Sequence, residues 1–525
     1  MTPRRLAILV LFAFVAAACG RTVLVQTEAA NPAANRQELQ KEAKQEQKKA
    51  ESLSKGGSTS VNVGATGSGG SSTSTGGGST SGGGGTTGGG TTTTGTGTSA
   101  PSKCATNSDP AHGFTEDSLT LGTIIPLTGS LKPLGSQTYH VMQVAVDATL
   151  NQQTHIAGPY ADVDWGCPSR DGVFGRHISL KVFSLQDNTP EEALAGMRRL
   201  IDVEHVFLVR DCYLESNLMG AAVQYQNSRG VPAVWCFFSG VGPELAPWNY
   251  APGTNPNVEA AIHTAYEIEV EHKTHLAILS DPSVKDTIVK VIQNVASYLK
   301  HPIPDGCIQY KRAQDASSGE DAQVAALRTC YGATAQPDAV MVSDALNLVF
   351  GALSAKNQGW RGADNRVTWD GVSSDWIESL AKICTDACAG AITDCQALPC
   401  IPWASAVKYP AVKALQDTYN QYLSSYPEDI LTYGPEAITG GLGLWLGMTG
   451  PDLSAGAFRN TLAHLNHWDA GIGPVITMSP QDHFGGAGVW LIKFTGNNGA
   501  PYFDDITHGF LTLQDLHIPT TLTET

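Results

Sequence analysis

Residues 119–127 read LTLGTIIPL, residues 178–187 ISLKVFSLQD and residues 205–211 HVFLVRD, with SQTYHVMQVAVDATLNQQ (136–153) and EEALAGMRRLIDVE (191–204) between them. Short apolar runs bounded by turn residues read as strands buried on both faces, and the segments between them read as amphipathic helices. Strand, helix, strand in that order requires a parallel sheet, because the crossover helix returns the chain to the same end. The pattern continues with LMGAAVQYQNSRG (218–230), a helix closed by Gly230, and VPAVWCFF (231–238), a fourth strand. A second series starts near Asn257: a helix to Glu271, the strand HLAILS (275–280), a helix from Ser283 to Lys300, a strand at CIQY (307–310), the helix EDAQVAALRTCYG (320–332) and the strand DAVMVS (338–343). Two such series predict an α/β fold of two doubly wound parallel-sheet lobes.

Upstream of this pattern the chain is different in kind. Arg4 and Arg5 precede the apolar run LAILVLFAFV, and Ala16, Ala17 and Ala18 lead to Cys19. This reads as a secretory signal over 1–18 ending in a bacterial lipobox, with a mature chain starting at a lipidated Cys19. A transmembrane helix is the alternative, but the run is shorter than the ~20 apolar residues that a span requires. Residues 19–103 read as a disordered tether: a Glu/Gln/Lys/Ala-rich spacer over 35–55, then almost pure Gly, Ser and Thr from Gly56 to about Ser99. Ordering such a stretch costs more entropy than it can recover. As a random coil the Gly/Ser/Thr stretch reaches roughly 35–40 Å. A stalk carrying sugar on Thr accounts for the same composition.

A net charge of −16 repels a phosphate backbone, so nucleic acid is excluded as a partner. Of 11 cysteines, Cys19 goes to lipid and the other ten lie in the foldable region, where an oxidising compartment pairs them. Cys384, Cys388, Cys395 and Cys400 are spaced C-x3-C-x6-C-x4-C, which fits two local bridges, with a zinc site as the alternative. His464 and His467 are spaced HxxH but lack a third ligand nearby, and the acid pairs Glu191/Glu192 and Asp504/Asp505 read as solvated surface. No G-x-S-x-G, HExxH, Walker or GxGxxG motif is present. Neither a metal nor a cofactor is called for, and no residue is assigned a catalytic role.

The order of several strings resembles the branched-chain amino acid binding family, the type I periplasmic binding proteins that serve ABC transporters. LTLGTIIPLTGSLKPLG is similar to its first strand and P-L-T-G loop, and GVFGRHISLKVFSLQDNTPEEALAGMRRLI to its G-I-x-G-R segment, second strand and Ala-rich helix. GVPAVWCFFSGVGPEL resembles the fourth strand with its binding loop, and IGPVITMSPQDHFGG the closing segment, so the likeness runs from about Asp117 to Asp504. It implies lobes of 117–253 plus 376–470 and 254–375 plus 471–525, three crossovers, a hinge and an interlobe cleft. One cleft wall then comes from Leu131–Gly135, Asp211–Ser216 and Phe238–Val241, the other from Asp281–Asp286 and Ser343–Asn347.

The resemblance also exposes departures. In members that bind a free amino acid, a Ser follows the third strand where Tyr213 stands, and a Ser/Thr-bearing loop holds the carboxylate where Ser239, Gly240 and Val241 stand. A first-loop Tyr is replaced by Leu134, and a second-lobe Tyr falls near Val284. Only Asp344 lies near the acidic residue that meets an ammonium group, and it reads equally as a helix N-cap. Ser216 and Phe238 complete the ligand-contact set; Trp235 and Phe237 read as strand core, and Phe238 as either. In this arrangement Cys212 and Cys236 end neighbouring strands and pair, Cys307 and Cys330 flank one strand–helix unit and pair, and Cys104 is left with Cys167. The function implied is a lipid-anchored extracytoplasmic solute-binding protein that delivers a small molecule to an ABC permease in the same membrane. The alternatives are a ligand sensor of the same fold and, further off, a surface enzyme or adhesin.

Overall fold

Leu119, Leu121, Ile124 and Ile125 are fully buried, as a parallel strand flanked on both sides requires, and they build a strand of the first sheet. The computed structural model describes residues 104–524 apart from single positions and short stretches, the longest being 152–164, 237–245, 361–366, 373–383 and, save Lys413, 396–441. The expected signal sequence, Cys19 and tether lie outside the described residues.

The first sheet consists of β1 (Ser118–Ile125), β2 (His177–Ser184), β3 (Leu208–Arg210), β4 (Ala233–Val234), β5 (Asn249–Thr254) and β11 (Phe484–Gly486), in the order β11-β5-β4-β3-β1-β2. All its pairings are parallel, with Ser118 opposite His177 and Ile125 opposite Ser184. The second sheet holds β6 (Leu276–Ser280), β7 (Ile308–Tyr310), β8 (Ala339–Val342), β9 (Thr368–Gly371), β10 (Ile392–Cys395), β12 (Gly488–Asn497), β13 (Pro501–Asp505) and β14 (Leu511–Thr512). It is parallel from β7 to β10, whereas β12 runs antiparallel to β10, β13 and β14.

The expected strands and helices recur with shifted ends. Of the strand expected over 231–238 only Ala233–Val234 is regular; Trp235 still bonds to both neighbouring strands but takes φ +57, a left-handed conformation that turns the chain away beyond it, and 237–238 lie outside the described residues. The helix at 190–198 is capped by Thr189, whose side chain accepts from Glu192 N, and it continues as a π-turn over Arg199–Val203. The helix Pro256–Ala265 is capped by Asn255 and continues through the π-turn Tyr266–Val270. The helix expected from Ser283 is a 3-10 turn (Pro282–Val284), a π-turn (Lys285–Val289) and an α-helix (Lys290–Tyr298) in succession.

Among the described residues the chain passes between the sheets three times, after β5, after β10 and after β11. Two of the expected boundaries need correcting. Strand β10 (392–395) completes the parallel run of the second sheet beside β9, not the first lobe, and β11 (484–486) extends the first sheet beside β5, not the second lobe. Both strands are short and lack an alternating pattern, so only their pairing places them.

Three disulfides have the expected partners: Cys104–Cys167, Cys212–Cys236 and Cys307–Cys330. In the four-cysteine segment Cys384 pairs with Cys388, Cys395 ends β10, and Cys400 lies outside the described residues. Arg176, from the GVFGR string, is buried and staples the edge of the first sheet. Its guanidinium donates to Thr115 O (2.7 Å), Pro451 O (2.9 Å), Asn107 O (3.1 Å) and Asn107 Oδ1 (2.5 Å), and lies 5.5 Å from the Phe114 ring centre.

Candidate functional site

In doubly wound sheets, ligands bind beyond the carboxyl ends of the strands, where connecting loops converge. In the first sheet that edge is held by the Cys212–Cys236 bridge, with Cα atoms 4.4 Å apart and Cys212 N donating to Trp235 O at 3.1 Å. Trp235 is half-buried against the core, and its N–H donates to Tyr250 O at 2.9 Å. Thr128 Oγ1, beyond β1, donates to Leu185 O at 2.9 Å. Gly135 lies against the chain at Pro126, where a Cβ would come within 1.9 Å of the Pro126 carbonyl oxygen, so only glycine allows this approach. Ser216 opens the helix Ser216–Ser228. Leu134, Tyr213, Phe238, Ser239, Gly240 and Val241, together with Phe237, lie outside the described residues.

The edge of the second sheet is described in more detail. Asp281 follows β6, and its Oδ1 accepts from Ser283 N at 2.8 Å, capping the turn that buries Val284. Ser343 follows β8; its Oγ accepts from Asp281 N at 3.0 Å and donates to Asp344 Oδ2 at 3.0 Å. Asp344 caps the helix Ala345–Asn357, its Oδ1 accepting from Asn347 N at 2.9 Å and its Oδ2 from Asn347 Nδ2 at 2.8 Å. Asn347 Nδ2 also donates to Lys311 O at 3.0 Å, which ties the ends of β7 and β8 together. Of the two roles read for Asp344 from the sequence, the structure displays the N-cap.

Sequence reasoning missed Lys311 and Glu320 in this group. Glu320, fully buried, precedes the helix Asp321–Thr329 without capping it, and neither carboxyl oxygen has a hydrogen bond among the described residues. Burial pushes its carboxyl up to about 9, with Asp344 adding to the rise and Lys311 opposing it. Burial likewise lifts Asp344 to about 6, against the donors from Asn347 and Ser343, while Asp281 raises it further. The available signal was position: Lys311 directly follows the CIQY strand, and Glu320 opens the next helix.

The remaining candidates have local roles. His464 Nδ1 meets Asn460 O at 2.8 Å and His467 Nδ1 meets Asn466 Oδ1 at 2.7 Å. Asp505 accepts from Trp490 Nε1 at 2.7 Å, and Glu192 Oε1 from Gln186 N at 2.6 Å. Among the described residues, no group of three or more His, Cys, Asp and Glu is placed to hold a metal, and no helix is long and apolar enough to cross a membrane.

No protein-family model matches this sequence, and no curated protein matches it. Solved structures do. A leucine-binding protein from Thermotoga maritima is 14% identical with a TM-score of 0.56, and the match covers 76% of this chain and 99% of that one. A fatty acid ABC transporter substrate-binding protein from Thermomonospora curvata is 17% identical with a TM-score of 0.57, covering 77% and 95%. An ABC transporter solute-binding protein from Rhodopseudomonas palustris in complex with 3,4-dihydroxybenzoic acid is 13% identical with a TM-score of 0.54, covering 75% and 97%. At these identities the likeness carries the fold: this chain has the type I periplasmic binding protein fold, as the order of its sequence strings implied.

Proposed function

We propose that this chain is an extracytoplasmic solute-binding protein, anchored by lipid at Cys19, that captures a small molecule between its two sheets and presents it to an ABC permease in the same membrane. One observation carries the reading: the fold matches transporter binding proteins over nearly their entire length, with three passages of the chain between two doubly wound sheets. Such connections act as a hinge, and ligand in the cleft favours the closed state by its differential affinity for it. No chemistry is performed on the ligand.

The first lobe in this reading is 117–253 with the segment leading to β11, and the second runs from 254 through β10 and resumes at β12. In this reading the ligand walls are the Val284 turn and the Ser343–Asn347 cap on the second lobe and, on the first, Ser216 with the segments at Leu134, Tyr213 and Phe238 to Val241, which lie outside the described residues. The similar structures are a leucine-binding protein, a fatty acid transporter's binding protein and a solute-binding protein holding an aromatic acid, which leaves the cargo as a small organic compound, amino acid-like or otherwise. Native mass spectrometry of the full chain purified without refolding, followed by a thermal-shift panel of amino acids, amides, short peptides, fatty acids and aromatic acids, tests the proposal. A bound molecule that also raises Tm by several degrees supports it. A chain that carries nothing and is stabilised by no compound overturns it.

A further inference from the structure

Away from the cleft edge, the interior of the second sheet holds a charged cluster that the binding reading does not use. His263, on the helix Pro256–Ala265, is fully buried; its Nδ1 lies 2.5 Å from Asp370 Oδ1 on β9, and its Nε2 lies 3.5 Å from Asp394 Oδ1 on β10. Glu267, one turn further along the same helical segment, is also fully buried, and its carboxyl stands beside Asp370. Two carboxylates flanking one imidazole in a dry interior favour the imidazolium, whose charge faces both of them.

The position of the cluster matters as much as its charge. The helix bearing His263 begins two residues after β5 ends, so it is the first structure the chain forms after its first passage between the sheets. Asp370 stands one residue before β9 ends, and Asp394 sits on β10, after which the chain makes its second passage. The imidazole therefore fastens together the elements at which two of the three passages meet the second sheet.

We propose that His263 is a proton-held latch: while charged, it pins the first crossover helix to β9 and β10, and loss of its proton at alkaline pH releases this side of the hinge. The other ionisable groups of the surroundings reinforce the direction. Tyr266 and Glu267 lie on the same helical segment and feel Asp370; burial and then the Asp370 charge hold Glu267 well above the usual carboxylate range, so its ionisation adds repulsion as pH rises. Lys273 and Glu271 act on Glu267 from the end of the segment, with Lys493 on β12 3.9 Å from Glu271. Glu259, a turn before His263, is buried on the same helix. Met341 of β8, opposite Asp370, is apolar. If the binding reading holds, lobe motion in this protein is coupled to proton activity, although the latch itself does not depend on that reading.

Hydrogen exchange on the full chain without ligand tests the latch independently of any cargo. The slow exchange of the His263 ring carbon, followed by mass spectrometry across pH, reports its titration directly. We expect a midpoint well above that of the exposed His464. A midpoint at or below that of His464 overturns the proposal. In the same samples, amides of 256–270, corrected for intrinsic rates, should lose protection at least 10-fold between pH 7 and pH 10 while those of 118–125 keep theirs. Equal loss in both segments is global unfolding and overturns the latch. Asp394→Asn, which removes the more distant carboxylate, should move the ring midpoint down and shift the loss of protection to lower pH. An unchanged profile in that folded variant overturns it too.

Discussion

Arg176, at the edge of the first sheet, and His263, on a helix beside the second, are both buried cations, but they are held in opposite ways. The guanidinium donates to three backbone carbonyls and one amide side chain, whereas the imidazole sits between two carboxylates. Burial lowers Arg176 to about 10, still above neutrality, so its bonds persist through the physiological range. Burial also opposes the charge on His263, yet Asp370 and then Asp394 outweigh it and hold the ring well above its usual 6.5. Neutral acceptors give the first sheet a cation whose hold is flat in pH across neutrality, and charged ones give the second a cation whose hold is not.

The largest expected effect breaks the second arrangement. Asp370→Asn leaves His263 without its nearest charge and should destabilise the protein by about 3–5 kcal/mol at pH 6 in urea melts. Because the folded-state value of His263 is raised, its stabilisation is complete below about pH 6.5 and is lost as pH rises through that higher value, so the variant's deficit relative to wild type should narrow on the alkaline side. Opening the Cys104–Cys167 bridge by a double Ser substitution should cost about 3–4 kcal/mol, since it releases a loop spanning 63 positions. The Cys384–Cys388 bridge closes only 4 positions, and its removal should cost visibly less in the same melts.

Arg176→Met strands the carbonyls of Thr115, Pro451 and Asn107 and should cost about 2–3 kcal/mol. Its deficit should not vary between pH 6 and pH 8, and a deficit that does vary would erase the contrast between the two sheets. The smallest effect is a gain. Glu320 is raised to about 9 and therefore binds a proton more tightly in the folded state, so wild-type stability falls as pH rises from about 4.5 towards 9. Glu320→Gln, which cannot ionise, should raise stability by on the order of 2 kcal/mol at pH 6 and leave it nearly unchanged at pH 4. Equal effects at the two pH values would show that Glu320 is already ionised in the fold.

The candidate site was legible from sequence in outline. The turn at Asp281 and the cap at Ser343–Asn347 could be placed because each follows an apolar strand run and precedes a helix, and local order locates the carboxyl ends of strands. Lys311 and Glu320 were not legible, because a charged residue after a strand has the same local signature whether it faces solvent or a buried neighbour. The pairing of Cys212 with Cys236 and of Cys307 with Cys330 was implied by the family resemblance, which sets neighbouring strands and helices beside one another.

By itself the sequence determined the alternation of strands and helices from 118 to 342, and with it two doubly wound sheets, because hydrophobic period is a local property that the chain carries wherever it goes. Only the tertiary structure decided that β10 belongs to the second sheet and β11 to the first, that β12 to β14 run antiparallel, and that Trp235 ends β4 early. It alone joined His263 to Asp370, 107 residues away. Short strands and buried charges have no period of their own; their partners are chosen by where the rest of the fold delivers them.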